Sequence, residues 1–469
     1  MNPVNPVAII GGGITGLTAA FRLREQNIPF TLYEASERVG GPIQTLCEDG
    51  YLSEYGPNTI LETSPKITAL ISDLGLDSRR RDSDPAANKN YIVRNGKMIQ
   101  LPMSPVAFLA TRLFSLPAKL RLFAEPLIRR ADPAADESLA EFVIRRLGRE
   151  FLDYAINPFV GGIYAGDPAR LSVRYAFPKL HAVEQKYGSL IVGQFLGARE
   201  RKKRAEVSKQ AAKKVGFDAG LQVLTDTLHQ TLGPAVELRS CVTALRKTPD
   251  GWTVSVQSGG GEVQRPHSAL ILAAPAHRLA EIGIEAPESV SLKVLDEIKH
   301  PAVARIVLGY RREDVADPLE GFGFLVPQVE KLSILGTTFS SSVFGGRAPA
   351  GHVTLTSFVG GCRNPGLASR DPEELFELTQ RDLERILGVR GKPTYRHHVL
   401  FPWAIPQYNV GFGKFADFMN DTESRLPGLF FAGNYRDGIS VGNSIVSGHD
   451  IAGRVAAFLN SQLPEEARL

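Results

Sequence analysis

The chain opens on a short apolar run, Val7 to Ile10, β-branched enough for a strand buried on both faces, after which Ile14, Leu17 and Phe21 recur at helical spacing. A second strand follows at Phe30 to Tyr33. Alternation in Tyr91 to Arg94 and Lys97 to Leu101 about Asn95-Gly96 predicts a β-hairpin on a type I′ turn. From Pro102 to about Lys214 the pattern is helical: Ser138 and Glu141 frame a capping box, Leu139, Phe142, Val143 and Leu147 form one face, and Gly148 closes that helix. Within this stretch, the glycines and prolines from Asn157 to Ser172 predict a shaped loop. Beyond Gly220 the texture is α/β. Leu221, Leu224, Leu228 and Leu232 mark a helix, Val242 to Lys247 and Trp252 to Val256 are strands joined through Asp250-Gly251, and Leu270 to Pro275 reads as a buried strand ending at a crevice. Strands are expected at Val303 to Leu308 and Val353 to Phe358, and a helix at Pro372 to Leu387 with Leu375, Leu378 or Thr379, Leu383 and Leu387 inward. A last strand, a glycine turn at Gly433 and a helix to Leu459 close the pattern.

Chemistry enters at the joins. Gly11 permits a tight turn, Gly13 lets backbone approach a diphosphate, and Gly16 lets helix and strand pack closely, with the phosphates at the helix N-terminus. Glu34, ending the second strand, is placed to take two ribose hydroxyls. A carboxylate there disfavours a 2′-phosphate and leaves FAD or NAD. Because a first and a last segment build one domain, the lobes between them are insertions.

Composition adds constraints rather than a function. At 469 residues, 43% hydrophobic and 22% charged, the chain suits a soluble enzyme of two or three domains. Cys47, Cys241 and Cys362 are far apart, with no Cys-x-x-Cys, so neither disulfides nor a metal site is expected. No apolar run is long enough to span a membrane, and no secretory signal precedes the first strand, which makes a cytoplasmic location the expectation. Net charge is +4, yet Leu101 to Val215 holds 20 Lys and Arg against 11 Asp and Glu. This basic segment also carries Phe108, Leu109, Leu113, Phe114, Leu116, Leu120, Leu122 and Phe123, which fits an anionic membrane surface rather than nucleic acid. Arg199 to Lys214 reads as a solvated helix face. His181, His397, His398 and His449 have no partner at a suggestive spacing, so no acid–base pair is expected.

Arg38-Val39-Gly40-Gly41 after Glu34-Ala35 resembles the second half of the signature of the FAD-dependent amine oxidase and protoporphyrinogen oxidase superfamily, and Asn157 to Ser172 resembles the segment that marks its protoporphyrinogen oxidases of plant and mitochondrial type. The resemblance covers nearly the whole chain. It implies an α/β fold with a discontinuous Rossmann-type FAD domain (1–88, 216–280 and 406–469), a substrate-side hairpin (89–100), a helical membrane-associating insertion (101–215) and a mixed α+β substrate domain (281–405). For FAD it implies Gly11, Gly13, Ile14, Thr15, Gly16, Glu34, Ala35, Arg38, Gly40 and Gly41. Gly56, Pro57 and Asn58 would pass under the flavin, Val242 would lie against the adenine, and Gly433, Asn434, Val441, Gly442 and Ser444 would complete the site. For substrate it implies Asn90, Phe159, Gly161, Gly162, Leu325 and Phe344, the last two sandwiching a tetrapyrrole. The implied reaction is six-electron oxidation of a porphyrinogen to a porphyrin with O2 as acceptor and no catalytic side chain. The implied setting is a homodimer at the membrane surface that hands product to a chelatase.

One position departs from that pattern. Where these enzymes carry an arginine for a substrate propionate, this chain has Asn90, with Lys89 beside it. Asparagine can hydrogen-bond a carboxylate but cannot neutralise it. Two-propionate protoporphyrinogen and four-propionate coproporphyrinogen therefore both stay open, as does another oxidase or desaturase of the same superfamily.

Overall fold

The computed structural model describes residues 5–196, 212–287 and 290–462. Its first sheet is five-stranded and wholly parallel, in the order Val236–Glu237, Phe30–Tyr33, Val7–Ile10, Leu270–Leu272, Leu429–Phe431. Strands from the beginning, middle and end of the chain thus share one sheet, and their apolar runs are continuous because both faces are covered. The helix Ile14–Glu25 covers one face, and the final helix Val441–Gln462 lies across it. Their approach is close: a Cβ on Gly448 would stand 2.4 Å from the carbonyl oxygen of Thr15.

A seven-stranded mixed sheet runs Tyr395–Phe401, Val303–Arg311, His352–Gly360, Ile334–Phe339, Gly323–Leu325, Asn90–Arg94, Lys97–Gln100. The hairpin is its edge, and Asn95 and Gly96 have the positive φ of 53° and 70° that a type I′ turn needs. Alternation in the central strand sends Ala304, Ile306, Leu308 and Tyr310 to one face, where they pack with Leu375, Leu383 and Leu387 of the helix Pro372–Leu387. The opposite face carries Val303, Arg305 and Val307, and it looks toward the parallel sheet's side of the molecule through Asn58.

Between these sheets, the segment from Pro105 to Leu196 is helical in short pieces. Ser138 and Glu141 form the expected reciprocal cap. Beneath them Arg146, fully buried, is clamped between Glu125 and Glu184. One expectation changes here. Asn157 to Tyr164 is not a loop: Arg149–Tyr164 runs as one helix with two wide turns, Leu152–Ile156 and Val160–Tyr164, ended by Ala165 at φ 50°. The wide turns make room for Pro158, whose ring and missing N–H do not suit an ordinary α turn. Lys214–Phe217, where the helical pattern was expected to stop, is a strand held between Ile60–Leu61 and Arg80–Asp82. The basic residues 199–211 lie outside the described residues.

Candidate functional site

At the carboxyl ends of the parallel strands the backbone is shaped for a dinucleotide. Gly11 has φ 109° and is pressed against the chain leaving the neighbouring strand, where a Cβ would meet the backbone nitrogen of Ala274 at 2.7 Å. Gly16 is tighter still, with the Gly11 carbonyl oxygen 2.0 Å from where its Cβ would be. Gly13 faces open space and serves as N-cap without a side-chain cap, so the first N–H groups of the helix, at Ile14, Thr15 and Gly16, remain available to an anion. Glu34 is already oriented, one oxygen accepting from Gly12 N at 2.7 Å and the other from Ser36 N and Oγ. Ala35 beside it is exposed, and Val242 follows Ser240, whose N–H donates to the Glu34 carbonyl.

The arginine of the second motif works on its own turn: Arg38 donates to the carbonyls of Val39, Ile43 and Gly41, fixing Gly40 and Gly41 at positive φ, while Gly40 N donates to Gly12 O. Gly56 continues this scaffold, its α-carbon so close to Pro42 that a Cβ would meet the Pro42 carbonyl at 2.5 Å. Pro57 and Asn58 follow. From the last motif, Gly433 donates its N–H to Ser447 Oγ at 3.0 Å, and Tyr408 donates to the Asn434 carbonyl. Val441 and Gly442 open the final helix, with Gly442 packed against Leu61 O, and Ser444 is buried one turn in.

Where the residues expected to meet substrate fall is decided by cross-strand register. Ile92, Leu325, Gly336, Phe358, Arg305 and Val399 form one rung across six strands, so their side chains share a face. One step along, the rung is Asn90, Gly323, Thr338, Thr356, Val307 and His397. Leu325 is wedged: a Cβ on Gly162 would lie 2.3 Å from its Cδ2, and one on Gly336 2.9 Å from the same atom. Gly161 takes Arg363 in the same way, at 2.6 Å from Nη2. Phe159, in the same helix, packs near Tyr164 and Phe177. Leu325, Gly336 and Phe358 thus form an apolar wall with the Gly161-Gly162 helix against it.

Three placements correct the sequence reading. Phe344 does not join Leu325: it packs with Ala87 and Val343, its ring on Gly216 and under Arg347, lining a separate small cavity with Asn58 and Glu54. The aromatic residue on the Leu325 rung is Phe358. Lys89 cannot stand in for an arginine at position 90, because it is bonded to Glu320 at 2.7 Å. Asn90 itself bonds the carbonyl of Asn88. The third concerns charge. Arg305 is buried; among the described residues its hydrogen bond runs from Nη2 to Asn58 Oδ1 at 3.2 Å, and Nε and Nη1 have no partner there. Burial lowers its pKa to about 10. Arg363, lowered to about 10 by burial too, bonds only the neutral oxygens of Val326 and Asn157. Neither had been singled out, although a lone arginine inside Val303-Ala-Arg-Ile-Val-Leu308 was a visible signal.

An uncapped helix N-terminus, a cradle that only glycine can line and buried guanidinium donors with no protein acceptor are what a bound flavin dinucleotide would satisfy. Comparison with known proteins agrees. The model of the family described as flavin containing amine oxidoreductase matches residues 14–456. The chain is 36% identical to protoporphyrinogen oxidase 2, chloroplastic/mitochondrial, of Arabidopsis thaliana, over 97% of this chain and 94% of that one. It is 30% identical to coproporphyrinogen III oxidase of Bacillus subtilis, over 97% and 98%. Its fold superposes on the crystal structure of an Exiguobacterium protein with TM-score 0.80 at 24% identity, covering 97% and 99% of the two chains. With putrescine oxidase bound to putrescine the TM-score is 0.69 at 18% identity, covering 97% and 99%. The chain belongs to the flavin containing amine oxidoreductase family, in the branch that holds the protoporphyrinogen oxidases.

Proposed function

We propose that this protein is an FAD-dependent oxidase that converts protoporphyrinogen IX to protoporphyrin IX, with O2 as final acceptor. The observation that carries the proposal is the apolar wall of Leu325, Gly336 and Phe358 facing the Gly161-Gly162 helix, one hydrogen bond away from Asn58 through Arg305. Bound FAD would supply a hydride acceptor for the methylene carbons of the substrate. The chain's own work is binding and orientation. Gly11, Gly13 and the N–H groups of Ile14, Thr15 and Gly16 would hold the diphosphate, with Glu34 on the ribose and Ala35 and Val242 beside the adenine. Arg38, Gly40 and Gly41 would lie along the diphosphate and ribityl chain and Gly56, Pro57 and Asn58 under the ring, with Gly433 and Asn434 at the diphosphate, Val441 and Gly442 near the ring, and Ser444 completing the site. The wall would keep the macrocycle flat and exclude water, which leaves aromatisation to drive a reaction that needs no strong base.

The surface supports a membrane-bound setting for an apolar substrate. Among the described residues no helix is long and apolar enough to cross a membrane. Val106 is 78% and Leu127 88% exposed, and Met103, Leu109, Leu116, Leu120 and Phe123 are exposed with them, beside the exposed Arg112, Arg129 and Arg130. We propose peripheral binding of this patch to an anionic leaflet on the cytoplasmic side, by a homodimer that passes product to a chelatase.

A second reading has its own support. The Bacillus subtilis relative favours coproporphyrinogen III, and Asn90 in place of an arginine leaves the choice between the two substrates open. Aerobic turnover of both porphyrinogens by the FAD-loaded protein, followed by porphyrin fluorescence, separates the two. Preference for the first is expected, preference for the second selects the alternative, and turnover of neither refutes both.

A further inference from the structure

Arg305 is a buried cation with no ion-pair partner among the described residues. Burying an isolated guanidinium costs several kcal/mol, and a fold keeps one only where something repays that cost. The nearest carboxylate does not. Glu54 is taken by Arg347 at 3.2 Å, by the Leu221 N–H and by Thr45 Oγ1. The other polar groups near Arg305 are Tyr55, Tyr395 and His397; burial raises the Tyr395 pKa and lowers that of His397, so neither of these two is an anion near neutrality. Two buried nitrogens, Nε and Nη1, therefore have no acceptor among the described residues.

The position of Arg305 says which group would supply one. A short relay of contacts ties it to the nucleotide turn: Gly40 donates to Gly12, Gly56 is pressed on Pro42, and Asn58 accepts from Arg305. Phe358, beside it on the rung, belongs to the apolar wall. The guanidinium thus stands where the turn through Asn58 meets that wall, inward of Arg363, which sits at the Gly161 end and is less deeply buried.

We propose that Arg305 is the counter-ion of the reduced flavin, its unpartnered N–H groups directed at the polar edge of the bound ring. The inference rests on the flavin reading of this crevice. Hydride transfer breaks one C–H bond of the substrate and brings two electrons and one proton to the oxidised ring, which leaves one net negative charge until a second proton arrives. A fixed cation with no solvent around it stabilises that charge, and through it raises the tendency of the flavin to accept the hydride.

The test is made on FAD-loaded protein without any porphyrinogen, so it stands whether or not the substrate assignment does. Sulfite is titrated against the flavin absorbance, since its addition leaves the ring negatively charged, and the two-electron potential is measured by dye equilibration. Charge-assisted hydrogen bonds of this kind are worth about tenfold or more. Arg305→Met and Arg305→Gln should weaken sulfite binding by at least about 10-fold and lower the potential by about 30 mV, the same factor for a two-electron couple. Arg305→Lys should keep both within about threefold of the parent, and it carries the test if the neutral variants do not load FAD. Unchanged sulfite affinity and potential in the neutral variants would overturn the proposal. So would a Michaelis constant that rises for the porphyrinogen diacid but not for its dimethyl ester with sulfite binding intact, since Arg305 would then serve a substrate carboxylate.

Discussion

Adding one methyl group at Gly162 separates the substrate wall from the stability of the fold. The alanine Cβ would lie 2.3 Å from Leu325 Cδ2, so Leu325 must move. On its other side Cδ2 already lies over the Gly336 backbone, 2.9 Å from where a Cβ there would stand, so little room remains for retreat. The side chain is driven instead along the rung, toward Phe358 and the space assigned to the macrocycle. Overpacking of this kind costs about 1–3 kcal/mol. Alanine in a helix returns about 1 kcal/mol relative to glycine, so the net loss of stability is about 0–2 kcal/mol. Binding in the slot has no such offset, and the full 1–3 kcal/mol appears there as a fall in kcat/KM of about 5- to 150-fold. The assay is porphyrin fluorescence under initial-rate conditions for Gly162→Ala, Leu325→Ala and the double variant, with thermal melts of each. The double variant should recover part of the lost rate, because the truncated side chain no longer meets the new methyl. If Gly162→Ala keeps kcat/KM within twofold of the parent while Tm falls steeply, the wall is ordinary core and the reasoning fails.

Other outcomes follow from the same coordinates. Gly16→Ala places a Cβ 2.0 Å from a backbone oxygen that cannot move away, so a loss of about 3 kcal/mol or more and of the bound flavin's 450 nm absorbance is expected. His267, held between Tyr33 and the Pro6 carbonyl, has its pKa lowered to about 4 by burial, whereas the unfolded value is near 6.5. The unfolded chain therefore binds more protons between those limits, and stability present above pH 6.5 is lost on acidification, by about 3 kcal/mol at most; urea melts of His267→Asn should show a shallower slope over that range. Asn90→Arg should lower KM for a propionate-bearing porphyrinogen about 10-fold and tighten carboxylate inhibitors, measured as KM and Ki. Replacing Val106, Phe123 and Leu127 together by Ser should abolish sedimentation with anionic phosphatidylserine vesicles and leave turnover in detergent unchanged.

What the sequence alone determined is what short-range geometry controls. The Gly11 to Gly16 turn, Glu34 bonded back to Gly12, the Asn95-Gly96 hairpin and the Ser138–Glu141 cap are each set within about two dozen residues by backbone hydrogen bonding and by the φ values that only certain residues accept. Periodicity located the long helices and the buried parallel strands because both are written in which faces are apolar. It misread Asn157 to Tyr164, since glycine and proline weaken a helix in isolation, and only packing against Leu325 and Arg363 repays the wide turns there. The substrate wall was beyond it altogether. Leu325, Gly336, Phe358 and Arg305 become neighbours through register across four strands, and a shift of one residue would turn each to the opposite face. That register belongs to no segment by itself, and with it the tertiary structure chose Phe358 over Phe344 and left Arg305 buried with no ion-pair partner among the described residues.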